Sequence, residues 1–191
     1  MISFIHKGFI MESKELALGV RLYKGVSLPC KERILSLDFK GATMESIISN
    51  DEFKTDYNSR ITLSIDVPYV NKDNNEFTDS FRETFDPIEK DYMSLFSISL
   101  KSHNPYKILK YEVGGKFENH MDDGGGNFRR VSTVYYLNDN YEGGELCFPQ
   151  FGIELKPEAG DMIIFPSSYV YSHSVKPVLS GNRYSIASWL K

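Results

Sequence analysis

From Ile108 to Leu190 the chain is a succession of short apolar, β-branched and aromatic runs, each cut off by turn residues: ILKYEV, FRRVSTVYYLN, GELCF, GIELK, DMIIF, SHSVKPV and NRYSIASWL. The separators are Gly124 to Gly126, Asn138 to Gly144, Pro149 to Gly152, Pro157 to Gly160 and Ser180 to Asn182. Glycine, proline and asparagine supply the fixed or left-handed backbone that turns demand, so these clusters end strands rather than bend helices. About seven strands in roughly eighty residues imply a sandwich or barrel.

Upstream the texture is different. Phe77, Phe81, Phe85, Ile88, Tyr92 and Phe96 recur at steps of four, four, three, four and four, the spacing of one helical face. Asp86, Pro87 and Glu89 match an N-cap, a first-turn proline and a capping-box carboxylate, which predicts a break or kink at residue 86. Lys31 to Ser49 reads as weakly helical, RITLSIDVPYV from Arg60 as a strand, and the polar NKDNNEFTDS at residues 71 to 80 as a surface loop within a domain. With 191 residues, 41% hydrophobic and 14% aromatic, the chain suits one domain over 1–191. Residues 1–107 then supply helical support and N-terminal strands, and residues 108–191 the β core. The expected class is mainly β with N-terminal helices, a double-stranded β-helix of the jelly-roll, cupin-like kind.

Charge and composition exclude several roles. A net charge of −4, a pI near 5.6 and the lack of a basic run leave no footprint for a phosphate backbone, so no nucleic-acid partner is expected. The longest uncharged stretch, Met162 to Val175, holds Pro166, several serines and His173, too short and polar to span a bilayer. MISFIHKGFIMESKELALGV meets Lys7, Glu12, Lys14 and Glu15 too early for a signal-peptide core, so a cytoplasmic protein is expected. Cys30 and Cys147 have no CxxC spacing, which leaves histidine and carboxylate to hold any metal.

Such residues stand in YEVGGKFENHMDDGGGNFRR, residues 111 to 130. On a strand, side chains two apart share a face, so His120 and Asp122 can reach one ion while Asp123 faces away. One more histidine completes a two-histidine, one-carboxylate facial triad, which suits ferrous iron and leaves coordination positions open. His6 lies near the terminus and His103 at the end of the helical segment, so His173, in a late strand, is the candidate. A His-x-Asp triplet alone is common by chance. Its significance rises with Arg183, ten residues past His173, whose guanidinium is a permanently charged bidentate fork for a carboxylate. Tyr136 can donate a phenolic hydrogen bond to the same carboxylate if its strand runs alongside, although an ordinary core aromatic fits its spacing equally well.

Tyr111, Gly114, Phe117, His120 and Asp122, then YYLND, YEGGELCFP, KPEAGDMIIFPS, His173, KPV and GNRYSIASWL, together resemble the catalytic domain of the iron(II) and 2-oxoglutarate dependent dioxygenases, prolyl 4-hydroxylase branch. The resemblance runs from about Tyr111 to Leu190. It implies Fe(II), 2-oxoglutarate and O2 as cofactors, ascorbate as reductant, and His120, Asp122 and His173 as iron ligands. It also implies that Arg183 anchors the distal carboxylate of 2-oxoglutarate with Tyr136 as partner, that Tyr111 lines that pocket, and that Trp189 and Phe117 sit by the substrate. Retention of Asp122 points to hydroxylation rather than halogenation. The implied substrate is a prolyl residue in a peptide or protein; the alternatives are a free amino acid or other small molecule, and a non-catalytic jelly-roll binding module. Gly143-Gly144 and Pro157 with Gly160 read as turn scaffold, and Gly124 to Gly126, lacking P-loop order, as a flexible segment beside the cleft.

Overall fold

The structure, a computed structural model, describes residues 2–6, 9–44, 47–49, 52–54, 59–68, 76–100, 103–124, 126 and 128–191. Three strands come first, β1 (Ile2–His6), β2 (Phe9–Ala17) and β3 (Val20–Lys24), followed by the short helix α1 (Lys31–Leu35). Next are β4 (Thr43–Met44), β5 (Ile47–Ser49), β6 (Glu52–Lys54), β7 (Arg60–Ile61) and β8 (Leu63–Val67), then the long helix α2 (Glu76–Leu95). The remainder is β: β9 (Tyr106–Tyr111), β10 (Lys116–His120), β11 (Val131–Tyr136), β12 (Glu142–Gly143) and β13 (Leu146–Phe148). It closes with β14 (Ile153–Leu155), β15 (Met162–Pro166), β16 (His173–Val175), β17 (Val178–Ser180) and β18 (Arg183–Leu190).

Every named pairing is antiparallel. A nine-stranded sheet has the order β1-β2-β3-β15-β11-β18-β9-β8-β4, and a five-stranded sheet the order β14-β13-β16-β10-β7. From β9 to β18 the chain passes back and forth between the two, which is the winding of a double-stranded β-helix. The fold class expected from the sequence is the one found.

The period of two along each central strand gives the large sheet two apolar faces. On β11, Val131 and Tyr135 join a core with α2, while Val134 and Tyr136 point between the two sheets. β18 divides in the same way: Ile186 and Leu190 face the helix, and Ala187 and Trp189 face the inter-sheet space.

α2 lays Phe77, Phe81, Phe85, Ile88 and Tyr92 on the outer face, with Phe81 edge-on to Tyr106 at 5.2 Å between ring centroids and Phe85 against Tyr135 at 5.3 Å. The expected break at residue 86 is absent: Glu76–Leu95 is one helix with Pro87 inside it. A mid-helix proline costs about 3 kcal/mol, whereas each fully buried large apolar side chain contributes about 1.5–3 kcal/mol. Phe85 and Ile88, on either side of Pro87, are both fully buried, so burial along one continuous face outweighs the local capping signal.

Two further expectations are corrected. The polar stretch at 71 to 80 is helical from Glu76 onward, with residues 71–75 outside the described residues. The weakly helical stretch from Lys31 holds helix only to Leu35; β4 and β5 follow, because Thr43 and Met44 pair with Ser64 and Leu63 of β8. The strand expected from Arg60 is present as β7 and β8. Among the described residues no helix is long and apolar enough to cross a membrane.

Candidate metal centre

β10 and β16 pair so that His120 stands directly opposite His173, with ring centroids 4.3 Å apart. Asp122 completes the group: His120 Nε2 lies 3.8 Å from its Oδ1, and His173 Nε2 lies 3.7 Å from its Oδ2. The reason differs from the one the sequence offered. β10 ends at His120, so Asp122 sits in a bend beyond the strand and strand parity does not place it. The bend is fixed by Asp123 N–H donating to Ser167 O at 2.9 Å, and the carboxylate by Ser132 Oγ donating to Asp122 Oδ2 at 2.7 Å. Ser132 Oγ also lies 2.8 Å from Ser167 Oγ.

The imidazoles are oriented with equal care. His120 Nδ1 meets the carbonyl of Glu118 at 2.8 Å, and His173 Nδ1 meets the carbonyl of Tyr171 at 3.1 Å. With Nδ1–H donating to backbone, each ring presents Nε2 as an unprotonated ligand, the arrangement that outer hydrogen bonds impose on metal-bound histidine. Phe117 lies flat against His120, 3.4 Å between centroids, and Phe165 meets His173 edge-on at 4.7 Å. Burial, then the neighbouring His173, pushes His120 down to about 3, so its lone pair stays available. Burial alone would raise Asp122, but His173, His120 and the Ser132 hydroxyl hold it at about 2. The donor set of this cluster, two imidazoles and one carboxylate, fits a ferrous ion.

His120, Asp122 and His173 open into a cleft between the two sheets. Arg183, Tyr136, Tyr111, Trp189 and Phe117 also line it, so every residue singled out in the sequence reaches this one cavity. Arg183 is 1% exposed, its Cζ 4.8 Å from the Tyr111 ring centroid and 5.0 Å from that of Tyr136. Register explains the group: Arg183 is the cross-strand partner of Tyr111, and Tyr136 that of the next inward residue, Ser185. Arg183 Nη1 donates to Ser185 Oγ at 3.3 Å, but its Nε and the fully buried Tyr136 hydroxyl have no hydrogen-bond partner among the described residues. Buried donors of this kind fit a carboxylate that accepts from both. Burial works against the charge of Arg183, yet Tyr136 and the other nearby tyrosines hold its pKa above the ordinary value. Burial likewise raises Tyr136, which keeps its proton to donate.

Residues that the sequence reading missed act around these. Ser132 is one; its signal was a polar residue at an inward position of β11. Arg60 lies over Phe117 at 4.2 Å, and Arg129 over Trp189 at 3.7 Å, both without a periodic signature. Gly144, read as turn scaffold, has φ +66°, and a Cβ there would come 3.0 Å from Arg183 Cδ and 3.1 Å from Tyr141 Cε2. Glycine therefore makes room for the arginine stem. Of the flexible segment expected at Gly124 to Gly126, Gly125 lies outside the described residues.

The family model of the 2OG-Fe(II) oxygenase superfamily matches residues 106–191. The chain is 29% identical over 114 residues to prolyl 4-hydroxylase subunit alpha-1 of Gallus gallus, covering 50% of this chain and 22% of that one. A crystal structure of a Pseudomonas putida prolyl-4-hydroxylase superposes with a TM-score of 0.69 at 19% identity, over 91% of this chain and 92% of that one. A prolyl hydroxylase from Trichoplax adhaerens, in complex with a hypoxia inducible factor peptide fragment, gives a TM-score of 0.70 at 17% identity, over 90% and 83%. At these identities the structural likeness shows the fold. The chain spans under a third of the length of the first curated relatives it matches, with 22% and 30% for two of them. The superfamily uses Fe(II), 2-oxoglutarate and O2, and His120, Asp122 and His173 are the residues that can hold the iron here.

Proposed function

We propose that the chain hydroxylates prolyl residues in a peptide or protein, as an Fe(II) and 2-oxoglutarate dependent dioxygenase. The observation that carries this reading is that a His-Asp-His cluster shares one cleft between the sheets with two buried donors, Arg183 Nε and the Tyr136 hydroxyl, that have no hydrogen-bond partner among the described residues. When bound, iron, 2-oxoglutarate and O2 supply the oxidising chemistry for an unactivated C–H bond.

The chain's own residues supply geometry and charge. His120, Asp122 and His173 would hold the ion, and the outer hydrogen bonds of Ser132 and the two backbone carbonyls fix their orientation. Arg183 and Tyr136 would receive the distal carboxylate of 2-oxoglutarate as charge-assisted and phenolic donors. Phe148, Phe165 and Leu146 close the inter-sheet core around the site and keep water out. Trp189 and Tyr111 offer apolar rings of the kind that pack against a pyrrolidine ring, while Phe117 backs His120.

Peptide over small molecule is supported by the likeness to prolyl 4-hydroxylases and by the peptide complex of the Trichoplax neighbour. The test is oxoglutarate consumption with iron and ascorbate, using proline-containing peptides beside free proline and other amino acids, with mass spectrometry of products. A gain of one oxygen on peptidyl proline, coupled to succinate, is expected. Coupled hydroxylation of a free amino acid with every peptide inert would replace this reading by the small-molecule one.

A further inference from the structure

On the opposite side of the large sheet, three residues that the oxygenase site does not use come together. Because α2 runs unbroken through Pro87, Asp86 and Glu89 are not caps; three apart, they project from one side of the helix. His103, just ahead of β9, bridges to Leu190, and Asn104 N–H donates to Trp189 O at 3.0 Å, which pins the histidine against β18. One ligand atom from each of Asp86, Glu89 and His103 lies within 4.8 Å of the others.

We propose that Asp86, Glu89 and His103 form a second divalent-cation site, of the zinc class, that ties α2 to β18. Three observations carry it. Glu89 is 1% exposed and its Oε1 is buried without a hydrogen-bond partner among the described residues, a costly state for a carboxylate unless a cation meets it. Glu89 Oε2 lies 3.2 Å from His103 Nε2, a separation that two ligands of one small ion adopt. His103 Nδ1 is 3.4 Å from Ser188 Oγ, so the ring is held through its far nitrogen, as metal-bound imidazoles are. Within the trio, two carboxylates and one imidazole offer three ligand atoms to one ion. One nitrogen and two oxygens suit zinc, cobalt or manganese, with water completing the shell. Ser188, against His103, and Trp189, in the oxygenase cleft, are consecutive residues on opposite faces of β18, so the two sites are separate.

The test counts zinc bound to chelator-treated protein by equilibrium titration and native mass spectrometry, with circular dichroism to confirm folding. Wild type should take two equivalents, and the His120→Ala/His173→Ala chain one. Glu89→Gln, nearly isosteric, should take one and retain oxoglutarate turnover; adding it to the double variant should weaken the remaining ion by more than about tenfold. A folded double variant that binds no zinc, or whose zinc is indifferent to Glu89→Gln, would overturn the proposal and leave a His103–Glu89 ion pair. Should the double variant fail to fold, equal stoichiometry in wild type and Glu89→Gln would overturn it just as well.

Discussion

Arg183 carries its charge at the base of a cleft walled by aromatic rings, with Tyr111 and Tyr136 close by. A charge-assisted hydrogen bond is worth about 1.5–3 kcal/mol, so Arg183→Ala should raise the KM for 2-oxoglutarate about ten- to a hundred-fold, with metal affinity little changed. Steady-state kinetics beside a cobalt titration measure both. Ser132 acts one step further out. Ser132→Ala leaves Asp122 in place but unoriented, and should weaken metal binding about ten- to a hundred-fold while the fold survives, as titration with circular dichroism can show. At this scale the sequence revealed the reactive types and hid their supports. His173 and Arg183 stand out because they are rare or charged within apolar strands. Ser132 does not, because one serine in VSTVYY looks like any polar residue on a half-exposed strand. Asp122 was selected on the parity of a strand that stops two residues short of it, and it reaches the cluster through a bend anchored by Ser167.

α2 shows how local and distant signals compete. Its aromatic period is legible because 3.6-residue spacing survives Pro87, yet Asp-Pro-x-Glu looks like a helix start to anyone who cannot see the sheet beneath. Pro87 has no N–H for the Glu83 carbonyl, so Pro87→Ala restores a helical hydrogen bond and should stabilise the protein by about 1–3 kcal/mol. Urea denaturation should move to a higher midpoint with an unchanged slope; a lower midpoint would mean that the ring itself packs favourably. β-strands from Ile108 onward were legible through their turn punctuation. β2 was not located, since FIMESKELA mixes charges with apolar residues and becomes a strand through pairing with β1 and β3.

For the whole molecule, the metal triad closes one sheet against the other: His120 and His173 belong to the five-stranded sheet, and Asp122 is held by Ser132 of the nine-stranded one. An ion bridging them should stabilise the folded state by about 2.7 kcal/mol at a hundredfold excess over its dissociation constant. Differential scanning fluorimetry with manganese as a redox-silent surrogate should show the melting temperature rising by roughly 5–10 °C. The rise should shrink in His173→Ala, which leaves the Asp86, Glu89 and His103 cluster intact, and vanish when Glu89→Gln is added. The nine-stranded sheet, meanwhile, is a wall with two tenants, an aromatic helix on one side and the His-Asp-His cleft on the other, and β18 alternates its side chains between them. In a combinatorial library, therefore, beneficial changes at Trp189 or Ala187 will depend on what occupies Ile186, Ser188 and Leu190. A directed-evolution campaign that varies cleft residues alone will stall sooner than one that lets the helix-facing positions change with them.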